Sequence, residues 1–66
     1  MKNNVKVERA MRDMTQASLA ELIGVSRQTI NTIESGRYVP SAVLALKISR
    51  VFARPVNELF ELEETD

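Results

Sequence analysis

Between Thr15 and Gly36 the chain is punctuated so closely that few folds remain open to it. Thr15 supplies the hydroxyl that an N-cap needs, able to accept from the free amides of a first helical turn. Gln16 to Ile23 then sets Leu19, Leu22 and Ile23 at helical spacing, so these three are expected to share one inward face. Gly24 stops the run, because glycine takes the left-handed conformation of a helix end without strain. A single apolar residue, Val25, separates that stop from Ser26, which can cap a second helix with Ile30 and Ile33 facing inward. Two short helices must therefore meet across a tight turn. The leftover face of the second carries Arg27, Gln28, Asn31, Thr32 and Ser35, hydrogen-bonding side chains where a merely soluble helix would more often show Glu and Lys.

This is the layout of a helix-turn-helix, in which the second helix enters the DNA major groove. The segments MTQASLAELIGVSRQTI, IESGRYVPS and LALKISRVF, with Arg9 and Arg12 upstream and PVNELF downstream, span nearly the whole chain. In this order and spacing the sequence resembles the Cro/CI-type, or XRE-type, family of small DNA-binding transcriptional regulators. The resemblance implies an all-α fold: a compact five-helix lambda-repressor-like domain, with short terminal β-segments at most. Three positions depart from the family pattern. Asp13 and Ala53 stand where glycine is usual, and Glu8 stands where an apolar residue is common. Asp tolerates the left-handed conformation better than most residues. Ala53 either accepts strain of up to about 1–2 kcal/mol or shifts the helix end. Glu8 either reflects a small slide of the first helix or finds a base such as Arg12, four residues on.

At 66 residues there is room for one domain, spanning 1–66, with the helix-turn-helix core at 15–36 and an acidic tail at 61–66. A chain of this size buries only about 60% of its unfolded surface, which favours a tight helical core. It has no cysteine and no histidine, so disulfides, thiol nucleophiles, zinc chemistry and the commonest general base all lack their residues. No enzyme, cofactor or metal is expected. No apolar run approaches the roughly 18 residues of a membrane span, and a cytoplasmic location is expected. The formal net charge is zero, but Glu58, Glu61, Glu63, Glu64 and Asp66 all fall at one end. Residues 1–57 hold nine bases against four acids, a net of +5. A segregated field of this kind can still steer DNA to one face. The modest charge predicts few phosphate contacts and a shallow salt dependence.

Along the rest of the chain, Met1 to Lys6 is either frayed or a short extended strand. A first helix is expected from about Val5 to Arg12, with Val7, Ala10 and Met11 inward. Met14 can staple the Thr15 cap. Ser41 caps a fourth helix, on which Leu44, Ile48, Val51 and Phe52 recur at core spacing. Pro55 suits the first position of a fifth helix through Phe60, presenting Val56, Leu59 and Phe60.

A recognition helix reads base edges with its N-terminal residues, here Arg27, Gln28, Asn31 and Thr32. Arg can fork onto guanine, Gln or Asn can pair with adenine, and a Thr methyl can pack on thymine. Arg27 could instead hold a phosphate. Phosphate contacts are expected from Gln16, where the resemblance places a backbone-clamping glutamine, and from Ser26, Thr29, Arg37 and Tyr38. Tyr38 reads equally well as an aromatic on the rim of the core. The resemblance implies an ion pair between Arg9 and Glu34, structural before functional. Arg12, Lys6 and Lys47 read as solvated charges, with Arg12 an outside candidate for a backbone contact.

One such module reads too few base pairs alone, and two-fold dimers place two recognition helices one DNA turn apart. Val39, Val56, Leu59, Phe60 and Leu62 are the apolar residues expected at a homodimer interface. The leading expectation is a stand-alone regulator, a repressor of a promoter with a palindromic double-stranded DNA operator and no small-molecule ligand. The alternative is an antitoxin-like or accessory protein-interaction module using the same fold.

Overall fold

Three of the helices begin on a hydroxyl that does what the sequence asks of it. In the computed structural model, which describes Met1 to Asp66, Thr15 accepts from the Ser18 amide at 3.0 Å and opens a helix over Gln16–Ile23, here α2. Ser26 accepts from the Thr29 amide at 3.1 Å and opens α3, Arg27–Glu34. Ser41 accepts from the Leu44 amide at 3.2 Å and opens α4, Ala42–Phe52. Each such cap contributes about 1 kcal/mol. α1, Val5–Met11, and the single turn of α5, Val56–Leu59, start without a side-chain cap.

The two ends of the chain meet. Lys2–Asn3 forms β1 and pairs antiparallel with β2, Phe60–Glu61, with Asn3 opposite Phe60. The expected fifth helix is therefore shorter than Pro55 to Phe60. Pro55 is its N-cap, and Phe60 has turned to extended backbone with φ −126°. The N-terminal segment resolves as the strand rather than as a frayed end. The Asn4 amide donates to the Leu59 carbonyl at 2.8 Å, and the Asn4 side chain reaches Glu58 O at 3.2 Å, so α5 is fastened to the start of α1.

All five helices and β2 contribute to one core, in which Val5, Leu19, Ile30, Ile33, Ile48 and Phe52 are fully enclosed. Each such side chain is worth about 1.5–3 kcal/mol of burial. The core corrects three sequence expectations. On α1 the inward residues are Val5 and Glu8, while Val7, Ala10 and Met11 are exposed. The helix has rolled so that Glu8 faces Arg12 and Arg54, at 2.8 and 3.4 Å. On α2 the buried arc is Leu19, Ala20 and Ile23, and Leu22 lies outside it. At about 100° per residue, Leu22 sits too far round the helix once Ala20 turns inward. Val51 is half-buried at the edge of the core.

Candidate nucleic-acid interface

Gly24 takes φ +75°, and the Val25 amide returns to Ala20 O at 3.0 Å. This closes α2 and swings the chain into Ser26 within two residues. Ile30 and Ile33 then anchor α3 from beneath, leaving its other side to solvent. On that side Arg27, Gln28 and Asn31 are exposed and Thr32 is half-buried. Arg27 and Arg37 take part in no ion pair, so their charge is available to a ligand. With Gln16, the residues Arg27, Gln28 and Asn31 line a polar notch of about 280 Å³ where the start of α2 meets the start of α3. A second polar groove continues along α3 between Lys6, Gln16, Asn31, Glu34 and Ser35. Lys6 thus borders this face, which its reading as an ordinary solvated charge did not anticipate.

The local hydrogen bonds sort the expected site residues. The Thr32 hydroxyl donates to Gln28 O at 2.8 Å and receives the Gln28 side-chain amide at 3.4 Å. With its proton committed to the backbone, Thr32 keeps its methyl for an apolar contact. Ser26 and Thr29 share a hydroxyl contact at 2.9 Å, and the same Ser26 oxygen caps the helix. Both lie at the N-terminal turn of α3, where the free amides and the helix dipole favour an anion. Arg37 and Tyr38 follow the end of α3 and are exposed, Tyr38 by 44%, with no hydrogen bond from its hydroxyl within the chain.

Beneath the face lies a charged brace. Arg9 Nε and Nη2 fork onto the two oxygens of Glu34 at 2.8 and 3.1 Å, and Arg9 Nη1 donates to Met14 O at 2.8 Å. One guanidinium therefore joins α1, the loop before α2, and the end of α3. Glu34 accepting from it raises the Arg9 pKa further, against the opposing cost of burial, and keeps this guanidinium charged. Glu34 also receives Gln16 Nε2 at 3.1 Å, so the residue expected to clamp a phosphate is itself held by the brace. Asn3 Nδ2 donates to Ile33 O at 2.8 Å and pins the last turn of α3 to the terminal ribbon. Residues thirty positions apart carry no local signal of such a bond.

Two further expectations are corrected. Arg12 is no solvated charge: it donates to Glu8 O, Glu8 Oε1 and Phe52 O at 2.9, 2.8 and 2.7 Å, and lies 4.9 Å from the Phe52 ring centroid. Three of its five N–H groups are thereby engaged within the fold, on α1 and α4. Leu59 and Phe60, expected at a dimer surface, are buried in the chain's own core because the ribbon folds Phe60 inward. Val39 and Leu62 are exposed and Val56 is half-buried. No three acidic side chains cluster as a metal site, and no helix is long and apolar enough to cross a membrane.

Comparison with known proteins agrees with this geometry. Residues 5–59 match a family model described as helix-turn-helix. The chain is 50% identical over 64 residues to YgzD, an uncharacterised HTH-type transcriptional regulator of Bacillus subtilis, covering 97% of each chain. It is 46% identical to an uncharacterised HTH-type transcriptional regulator of Methanocaldococcus jannaschii, over the full length of both. A third protein of that description, from Archaeoglobus fulgidus, is 42% identical across all of this chain and 93% of its own. The chain belongs to the XRE-type helix-turn-helix family of DNA-binding transcriptional regulators.

Proposed function

We propose that this protein is a sequence-specific repressor that occupies a palindromic operator as a homodimer in the cytoplasm. Each copy inserts α3 into the major groove. Arg27 and Gln28 read base edges, Asn31 adds a third contact, and the Thr32 methyl meets thymine. The phosphates on either side are held by Gln16, Ser26, Thr29, Arg37 and Tyr38. The observation that carries this reading is the solvent-facing polar side of α3, which meets the N-terminus of α2 in a notch lined by Gln16, Arg27, Gln28 and Asn31. Arg and two amides on one helical face form the donor and acceptor set that base-edge readout uses. A dimer surface through Val39, Val56 and Leu62 is supported by the exposure of Val39 and Leu62 at 57% and 77%.

Selection of bound duplexes from a random DNA pool tests the proposal. Enrichment of a palindrome with half-sites about 10–10.5 bp apart is the expected result. Replacing Gln28 with Ala then flattens one position per half-site, a loss of about 1–3 kcal/mol of discrimination. Absence of enrichment, with only weak salt-sensitive binding, would overturn the reading and turn attention to a protein partner.

A further inference from the structure

Gln16 and Asn31 face each other across the notch, and their amides are ordered by a charge behind them. A carboxylate oxygen can only accept. The Gln16 atom that lies 3.1 Å from Glu34 Oε1 must therefore be Nε2, with its two N–H groups. The second of those reaches Asn31 at 3.4 Å, and since Nε2 cannot accept, the Asn31 atom there is Oδ1. The chain of donors begins at Arg9, whose guanidinium forks onto both oxygens of Glu34 and holds that carboxylate in place. Each link dictates the orientation of the next. The Nδ2 end of Asn31 is left over, on an exposed position of α3.

We propose that the Arg9–Glu34 ion pair sets DNA specificity through Gln16, fixing Asn31 so that it offers hydrogen-bond donors to the base edge it meets. Asn31 then favours the keto bases, whose major-groove oxygens accept, over cytosine, which only donates there, and over adenine, whose N7 accepts but whose neighbouring N6 amino group needs an acceptor that Asn31 has turned to Gln16. Free asparagine on a recognition helix has no such bias, because it can turn its amide over and pair bidentately with adenine. Gln16 acts here as a positioning residue in addition to any phosphate contact, and the inference rests on the reading of α3 as the recognition helix.

The test is pool selection with the intact protein and three variants. Asn31→Ala locates the base position that Asn31 contacts, by flattening it. In the wild-type protein that position should select guanine or thymine on the contacted strand. Gln16→Met keeps the length of the side chain but breaks the relay. It should shrink the keto-over-amino preference roughly tenfold at that one position, the worth of about one well-placed hydrogen bond. Gln16→Glu can only accept, so it should turn the Asn31 amide over and reverse the preference towards cytosine or adenine. A merely structural or phosphate-binding Gln16 would lower affinity for every sequence alike and move no base preference. That outcome overturns the proposal, as does an amino-base preference in the wild-type protein or failure of Asn31→Ala to flatten any position. If the wild-type protein enriches no sequence, the recognition-helix reading itself fails and this inference falls with it.

Discussion

α2 and α3 end in the same way as α1 and α4, yet the two pairs reach that end by different means. In all four helices the residue after the last turn is left-handed, and the amide that follows it reaches back five residues. Val25 reaches Ala20 O at 3.0 Å, Arg37 reaches Thr32 O at 3.2 Å, Met14 reaches Arg9 O at 3.0 Å, and Arg54 reaches Ser49 O at 3.2 Å. These are Schellman closures. In the helix-turn-helix the left-handed residues are Gly24 and Gly36, at φ +75° and +79°. In the flanking helices they are Asp13 and Ala53, at φ +52° and +53°. A Cβ in that region meets the following carbonyl and costs about 1–2 kcal/mol. The recognition unit thus closes on residues that carry no Cβ and no strain. The scaffold closes under strain and draws on tertiary contacts.

Arg12 supplies those contacts. It stands one residue before Asp13, and its guanidinium holds the Phe52 carbonyl, one residue before Ala53. It also neutralises Glu8, whose side chain is 11% exposed. If the comparison is right, the largest effect available is Arg12→Ala. It leaves the Glu8 carboxylate with Arg54 alone, at 3.4 Å, and orphans the Phe52 carbonyl, and should cost about 2 kcal/mol, less than a fully buried pair because Arg12 keeps some water. Chemical denaturation measures this directly. A loss below about 0.5 kcal/mol, the range of a surface ion pair, would show that the scaffold ends hold without the clamp.

The same division explains what could be read from the sequence. Thr15, Ser26, Ser41 and Gly24 act within a few residues of themselves, so each was legible and each sits as expected. The polar face of α3 was legible for the same reason, once Ile30 and Ile33 fixed which side was buried. α1 is ambiguous in the sequence because its seven residues offer two arcs to bury, Val5 with Glu8 and the wholly apolar Val7 with Ala10 and Met11. Only Arg12 and Arg54, the latter 46 positions from Glu8, make the arc with the carboxylate the better one to bury. The inward turn of Phe60 has no local signal because its strand partner is Asn3, at the far end of the chain. Of the site, the surface residues were visible and the bonds that orient them, Gln16 to Glu34 and Asn3 to Ile33, were not.

A mirrored pair of substitutions gives the next largest effects. Gly24→Ala meets no neighbour within 4 Å, so its cost is backbone strain alone, about 1–2 kcal/mol. Ala53→Gly removes the same strain and returns part of it as unfolded-state entropy, for a net gain of about 0.5–1 kcal/mol. Melting curves of the two should move in opposite directions. If Ala53→Gly is neutral or harmful, Ala53 is not strained and the contrast between the two halves disappears. Combined with Arg12→Ala, Ala53→Gly should recover more than it yields alone, since an end without strain needs the clamp less.

Asp13 gives the smallest effect and separates two causes. It shares the left-handed backbone of Ala53, but Asp visits that region at lower cost, so Asp13→Gly exchanges a small relief for a similar entropic loss. Its carboxylate, however, sits at the C-terminal end of α1, where the helix dipole disfavours negative charge by about 0.3–1 kcal/mol. Asp13→Asn removes the charge and keeps the conformational tolerance, so it should stabilise by a few tenths of a kcal/mol at low salt. That gain should fade by about 0.5 M salt, where screening removes most interactions between exposed charges. Asp13→Gly should match Asp13→Asn to within about 0.5 kcal/mol under the same conditions. A much larger gain for glycine would place Asp13 with Ala53 as a strained closure. A gain for Asn that survives high salt would point to side-chain hydrogen bonding, and the penalty at the end of α1 would then owe nothing to charge.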